Sequence, residues 1–216
     1  MQRLGRSSLF AVSSKIASFW LLAGMVVCAQ KADDIAVRPH LSTDLAVTYN
    51  AESSQLVQNQ CCFWMQGGGV DAAFNFWKGL GLAGSFNGRR ASEAAPSVDV
   101  NEITLAAGPR YTFTWSAHNS EAGAWPRWQI FTQGLFGGVH AFNGVYPGST
   151  GATSSAGSFA LQAGGGVNLL FKRNLGLRLF GLDYARTTLP NGAGNRQNNM
   201  RLGCGVTVHF GGRGTS

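Results

Sequence analysis

Four histidines, three serines close to one of them, and a handful of charges are the side chains in this chain that could do chemistry. His40, His118, His140 and His209 are scattered, and none stands at a hydrolase spacing from a serine and an acid. His140 lies near Ser149, Ser154 and Ser155, so a nucleophile–base pair can be drawn there by proximity alone. A structural or surface histidine is the simpler reading of all four. Gly79-Leu80-Gly81-Leu82-Ala83-Gly84 matches a GxGxxG pattern, which binds dinucleotide phosphates only when it opens a helix in a βαβ unit. Leu80 to Arg90 alternates like a strand, so these glycines are read as sites where strands curve and pack. Cys61, Cys62 and Cys204 show no CxxC or His-rich spacing that would hold zinc, and three cysteines make no disulfide framework. Cys204 sits in an apolar run and reads as a small hydrophobe. No catalytic, cofactor-binding or metal-ligating set is expected.

The charges are more informative because there are so few. Charged residues make up 12% of 216, about half the usual share, while glycine accounts for 30 positions and aromatics for 11%. With mean hydropathy near zero, that composition suits strands whose two faces meet different solvents. Ile103, Leu105, Ala107, Pro109, Tyr111, Phe113 and Trp115 fall on one face of a strand, and Thr104, Ala106, Gly108, Arg110, Thr112 and Thr114 on the other. The same division recurs in 200–210, where Leu202, Cys204, Val206, Val208 and Phe210 oppose Arg201, Gly203, Gly205, Thr207 and His209. It recurs again in 159–169, with Phe159, Leu161 and Val167 against Gln162, Gly164, Gly166 and Asn168. Shorter stretches put Val70, Phe74 and Phe76 opposite Asp71, and Leu45, Val47 and Tyr49 opposite Thr48 and Asn50.

Eight strands follow, at about 44–54, 67–77, 80–90, 103–116, 128–142, 158–171, 175–189 and 199–210. Lys78-Gly79 and Lys172-Arg173-Asn174 read as tight turns; the joins at 55–66, 91–102, 143–157 and 190–198 are longer and rich in Ser, Gly, Asn and Pro. An even strand count with short turns at one end and long loops at the other is the layout of an all-β, eight-stranded antiparallel up-and-down transmembrane β-barrel. The 117–127 join is long for a turn at the short end. Two strands depart from clean alternation. In 128–142, Phe131, Leu135 and Val139 share a face with Gln129 and Gln133; in 175–189, Leu175, Leu177 and Leu179 share parity with Asp183, which a bulge midway would reconcile.

An arginine on the lipid face costs about 2 to 4 kcal/mol near the bilayer midplane. Glu52, Asp71, Arg110, Asp183 and Arg201 are therefore expected to face the lumen, where opposite signs pair. A proton or ion path along them is the less favoured alternative. Trp64, Trp77, Trp115, Trp125 and Trp128 lie near strand ends, as an aromatic girdle at the membrane interface requires.

The amino terminus gives the address. Arg3, Arg6 and Lys15 precede the apolar run Ile16 to Val27, and small residues before Gln30 set a cut after Ala29. Twelve apolar residues are too few for a spanning helix. Acylation of Cys28 is the alternative, disfavoured by the large Val27 before it. Removing 1–29 takes away three basic residues and no acid, lowering the formal net charge from +7 to +4. No basic cluster interleaves with aromatics, so no nucleic-acid partner is read. The resulting organisation is a signal peptide at 1–29, a flexible leader at 30–43, a barrel at 44–210 and a short tail at 211–216.

Gly108-Pro109-Arg110-Tyr111-Thr112-Phe113, Gly164-Gly165-Gly166-Val167, Arg178 to Tyr184 and Asn198 to Gly205 carry a resemblance. Together with the strand count and the signal peptide, they make the chain resemble the small OmpA-like outer-membrane β-barrel family over roughly 44–210. The resemblance implies residence among outer-membrane lipids, delivery by periplasmic chaperones and insertion by the barrel assembly machinery. The family pattern ends on a terminal aromatic; here the matching Phe210 is followed by Gly211 to Ser216. A wall-anchoring role is not expected, because no peptidoglycan-binding domain follows Phe210. The functional expectation is a structural barrel with a packed polar lumen, no general pore activity, and loops for adhesion or sensing whose ligand the sequence does not name. A lipid-modifying barrel enzyme and a secreted soluble barrel around a small apolar ligand are the alternatives. The last would need an apolar interior.

Overall fold

The computed structural model describes residues 41–54, 63–95, 98–116, 126–148, 151–191 and 194–211. The proposed signal peptide, most of the leader, Cys61, Cys62, His40, His118, Trp125, Ser149 and the tail after Gly211 lie outside them. Eight strands close on themselves in sequence order: β1 (Ser42–Ser54), β2 (Phe63–Trp77), β3 (Leu80–Ala95), β4 (Val98–Ser116), β5 (Arg127–Gly148), β6 (Gly151–Leu170), β7 (Leu175–Thr187) and β8 (Gln197–Gly211). Every neighbouring pair is antiparallel, and β1 pairs with β8 from Ser42↔Gly211 to Ser53↔Met200, so the sheet has no open seam over that length. Both described chain ends, the Lys78-Gly79 turn and the 171–174 turn share one end of the barrel, here the turn end; the opposite end is the loop end.

Period-two burial shows which solvent each face is built for. On β1, Asp44, Ala46, Thr48, Asn50, Glu52 and Ser54 are buried, and Leu45, Val47 and Tyr49 are exposed. The lumen therefore takes the polar residues, and the outside takes Leu82, Phe86, Leu105, Phe113, Phe136, Phe159, Phe180 and Leu202 among many. This is the reverse of a soluble barrel around an apolar ligand. From Ile103 to Phe113, at about 3.3 Å per residue and a tilt of roughly 40°, the apolar face rises about 25 Å, the height of a transmembrane barrel's apolar band.

Local sequence explains the turns and irregularities. Lys78 (φ 43°) and Gly79 (φ 85°) form a two-residue turn with positive φ at both positions, the geometry whose twist matches flanking strands. The bulge expected in β7 falls at Leu179–Phe180: both are exposed in succession, and pairing with β6 and β8 shifts there. Leu177 and Leu179 face out before it and Phe180, Leu182 and Tyr184 after it, which leaves Arg178 and Asp183 both inward. In β5 no such flip occurs between Gln129 and Ala141. Phe131, Leu135 and Val139 are buried in the lumen beside Gln129 and Gln133.

Two expected loops are strands. The 91–102 join is a continuation of β3 and β4 to Ala95 and Val98, and the 143–157 join is a ribbon of β5 and β6 reaching Gly148↔Gly151. Ser, Gly and Pro content suggests loops, but Tyr146 to Gly148 pair with Gly151 to Thr153, and Ala141 and Phe142 with Ala156 and Ser155, and cross-strand pairing overrides composition.

Candidate functional site

All five charges expected in the lumen are there, and four more ionisable groups join them: Asp44, Arg89, Glu102 and Arg178, with His209 at the rim of the turn end. They fall into three tiers. Nearest the turn end, Asp44 Oδ1 lies 2.6 Å from His209 Nδ1, while its Oδ2 accepts from Asn75 (3.1 Å) and Gln129 (3.3 Å). Gln129 accepts in turn from Asn168 (2.6 Å), and Asn168 accepts from Arg178 Nε (3.1 Å).

The middle tier crosses the barrel. Arg178 on β7 pairs with Asp71 on β2, which also accepts from Ser85 at 2.6 Å. Arg201 pairs with Asp183 at 2.8 Å and donates to Gln162 at 2.9 Å. Phe131 projects between these groups, with the guanidinium of Arg110 3.9 Å and that of Arg178 4.7 Å from its ring centroid. Arg110 departs from the expectation that each lumen charge pairs with its opposite. It makes no salt bridge, its Nε and Nη2 have no hydrogen-bond partner among the described residues, and the ring takes the place of a carboxylate. Asp71 and Asp183 are held by Arg178 and Arg201 instead.

The upper tier is a triad. Arg89 pairs with both Glu52 and Glu102, the latter at 2.6 Å, and donates to Thr104 at 2.7 Å; Asn199 donates to Glu52 at 2.8 Å. Above it the chemistry changes. Met65, Ala91, Val100, Val139, Ala141, Tyr146, Ala160 and Leu189 form an apolar cluster across the loop end of the lumen. The packed polar lumen expected from the sequence thus ends below this apolar seal.

The inner faces carry rows of glycines, among them Gly69, Gly166 and Gly203. They are recesses filled by the side chain paired with each glycine on the neighbouring strand. A Cβ on Gly203 would collide with the Asn50 side chain, one on Gly69 with Asn87, and one on Gly166 with the Phe131 ring. A cavity of about 10 Å³ remains between Asp71, Asn87, Arg178 and Arg201, room for about one water molecule.

On the outside, Trp77, Trp115 and Trp128 gather at the turn end, where Trp115 and Trp128 stack at 6.3 Å; Trp64 stands at the loop end. His140 is exposed on β5 across from Gly157, so Ser155 is its diagonal neighbour rather than a bonded partner. His140 stacks on Phe142 at 6.1 Å. Among the described residues no three His, Cys, Asp or Glu side chains converge as a metal site.

No family model matches the chain. No curated protein matches it either. Solved structures do. The attachment invasion locus protein Ail of Yersinia pestis, determined with the heparin analogue sucrose octasulfate, superposes with a TM-score of 0.51 at 15% identity, covering 80% of this chain and all of Ail. Neisserial surface protein A superposes with a TM-score of 0.52 at 18% identity over 79% of this chain and 97% of the other. At such identities the likeness is one of fold: this chain has the architecture of the small outer-membrane β-barrels.

Proposed function

We propose that this protein is a resident of a bacterial outer membrane, a structural barrel with a filled lumen whose loop end displays protruding strands for adhesion or sensing. The inversion of its faces carries the reading. Large apolar side chains are exposed all round the outside, and charges cluster inside where they pair. A surface of that kind is stable only when lipid covers it. The triad around Arg89, the plate of Phe131 and the apolar cluster above them obstruct the lumen in succession, which supports a structural rather than a conducting role. Recognition at the loop end is supported by the β5–β6 ribbon, which continues past the point where the pairing of β5 with β4 ends.

Membrane fractionation combined with gel mobility tests the reading. The protein should sediment with the outer membrane and migrate differently before and after boiling, because a closed barrel offers no edge from which detergent can unzip it. Recovery in the soluble periplasmic fraction, or identical mobility of well-folded material in both lanes, overturns it.

A further inference from the structure

We propose that the turn end of the barrel is a basic collar that holds the headgroups of anionic phospholipids in the leaflet on that side. Four cations stand there: Lys78 in the β2–β3 turn, Arg127 at the start of β5, and Lys172 and Arg173 in the β6–β7 turn. Lys78, Lys172 and Arg173 are exposed, and Arg127 is half-buried. Of the acids among the described residues only Asp44 lies near this end, and it is buried in the lumen against His209, Asn75 and Gln129. The loop end is different. There the exposed Arg90, Arg186 and Arg196 share the surface with Asp99, which pairs with Arg90 at 2.6 Å. Among the described residues, therefore, one end of the barrel presents a single sign of charge and the other presents both.

The cations sit at the depth of a lipid headgroup. Trp77, Trp115 and Trp128 gather at this end, as rings at a membrane interface do. Lys78 follows Trp77, and its Nζ lies 5.9 Å from that ring's centroid, within cation–π reach. Arg127 pairs with Ser116 one step past the stacked Trp115 and Trp128, and on its other side with Leu170, just ahead of the 171–174 turn. At about 3.3 Å per residue the four cations stand a short way beyond the rings, outside the apolar band. Phe171, exposed beside Lys172, offers an apolar face to acyl chains. Both turns are also fixed to a neighbouring strand. Thr112 N–H donates to the Gly79 carbonyl at 2.7 Å, and His209 N–H to the Asn174 carbonyl at 3.0 Å. The backbone that carries Lys78, Lys172 and Arg173 is thus ordered before lipid arrives, which lowers the entropy lost on binding.

Charge complementarity selects the occupant. A zwitterionic headgroup brings an ammonium along with its phosphate, and a surface of positive charge alone repels the ammonium. A phosphatidylglycerol headgroup brings the phosphate without it. Each Lys or Arg near an anionic lipid surface contributes about fivefold in affinity. A soluble acidic partner matches the charge but has no acyl chains to meet Phe171 and the tryptophan rings. The inference rests on the outer-membrane reading above, which puts the short turns on the periplasmic side.

The test places the full barrel in phosphatidylcholine vesicles doped with brominated phosphatidylglycerol or, at the same mole fraction, brominated phosphatidylcholine, and reads quenching of tryptophan fluorescence. Trp64→Phe serves as the background, so that the described rings that report are those at the turn end. Brominated phosphatidylglycerol should associate about fivefold or more strongly than brominated phosphatidylcholine at low salt. The preference should fall towards unity at 1 M salt, where charges are screened within about 3 Å. Lys172→Ser with Arg173→Ser should lower it about threefold or more with heat-shifted mobility retained, and Lys172→Glu with Arg173→Glu should abolish it. Arg90→Gln at the loop end should leave it unchanged. Equal quenching by the two lipids in the background protein overturns the proposal and leaves the collar to a soluble acidic partner. A preference that survives 1 M salt overturns it too, as does one that Arg90→Gln removes and the turn variants do not. If neither brominated lipid quenches, the protein is not in the bilayer, and the reading under Proposed function is what fails.

Discussion

From the turn end to the level of Glu52 and Glu102, the lumen is filled mainly by guanidinium, carboxylate and amide groups, set around Phe131 and a small apolar cluster of Ala73, Ala83, Ala106 and Leu135; above that level it is filled by Met65, Val139, Tyr146, Leu189 and alanines. The two regions resist different failures. In the polar region the carboxylates are held by partners on other strands, as Asp71 is by Arg178 on β7 and Glu52 by Arg89 on β3 and Asn199 on β8, while Arg110 faces the Phe131 ring. A slip of one residue in any strand would turn its charges toward lipid and strand their partners. In the apolar region no single pair is essential, and volume is what matters. The first region fixes register, and the second fills volume.

Removing Arg89 should have the largest effect. Arg89→Leu leaves Glu52 and Glu102, both fully buried, facing each other without a cation, at a cost of about 3 to 5 kcal/mol in a urea titration of folding in micelles. Replacing all three residues together by apolar ones should recover most of that loss, because well-packed apolar groups often equal a buried ion pair. A triple variant as unstable as Arg89→Leu would mean that the triad does more than compensate its own burial.

Phe131→Ala comes next. The ring fills the middle tier and faces two guanidiniums, so its loss opens a cavity where Gly166 provides no side chain to collapse into it. About 3 kcal/mol is expected from the cavity, with water entering to solvate Arg110 and Arg178. A change below about 1 kcal/mol would show that Arg110 and Arg178 close the gap themselves.

Arg110→Leu should cost less, about 1 kcal/mol, and less than Arg89→Leu by a clear margin in the same titration. The sequence alone argues otherwise, since any lumen arginine stands to lose an acid partner. Here no carboxylate is orphaned. The variant gives up the ring contact and gains relief from the like charge of Arg178, which shares that ring. A cost equal to that of Arg89→Leu would show that Arg110 holds a carboxylate that the static geometry does not pair with it.

The unequal behaviour of these arginines marks the limit of what parity can read. Strand number, face assignment and five lumen charges follow from period-two alternation, because Glu52, Asp71 and Arg201 sit in strands of clean alternation. Asp183 shares the parity of Leu175, Leu177 and Leu179 and turns inward only through the bulge at Leu179–Phe180, whereas Arg178 lies ahead of that break, opposite those leucines. Glu102 lay in a segment read as loop, and Arg89 stood next to Arg90, so neither face was obvious before β3 and β4 were known to extend. The apolar seal shows in the sequence only as a departure, Val139 on the polar face of β5, with Tyr146 beyond that strand's expected end; Leu135 on the same face belongs to a second cluster with Ala73, Ala83 and Ala106. No local pattern announces which lumen residues meet across the barrel, since contacts such as Asp71 with Arg178 and Asp44 with Gln129 join positions 107 and 85 residues apart.

The smallest effect is expected where the two regions are tested as barriers. In a planar bilayer the unvaried protein should show rare, small conductance events or none. Eight strands enclose an interior just wide enough for side chains, and aqueous channels appear at about 16. Met65→Ser combined with Tyr146→Ala removes the bulk of the apolar seal and lets water down to the triad. Conductance should nevertheless stay close to that of the unvaried protein. Beneath the seal, Arg89 ties β3 to β1 and β4, Phe131 blocks the centre, and the open volume near Arg178 and Arg201 is about 10 Å³. An ion would have to displace paired charges from a site with no bulk water to receive them, and that barrier does not depend on the seal. A stable large conductance in the double variant would locate the closure in the apolar cluster alone. The charged tiers would then be a water-filled thread beneath a lid, and the division between a region that fixes register and one that fills volume would have to be redrawn.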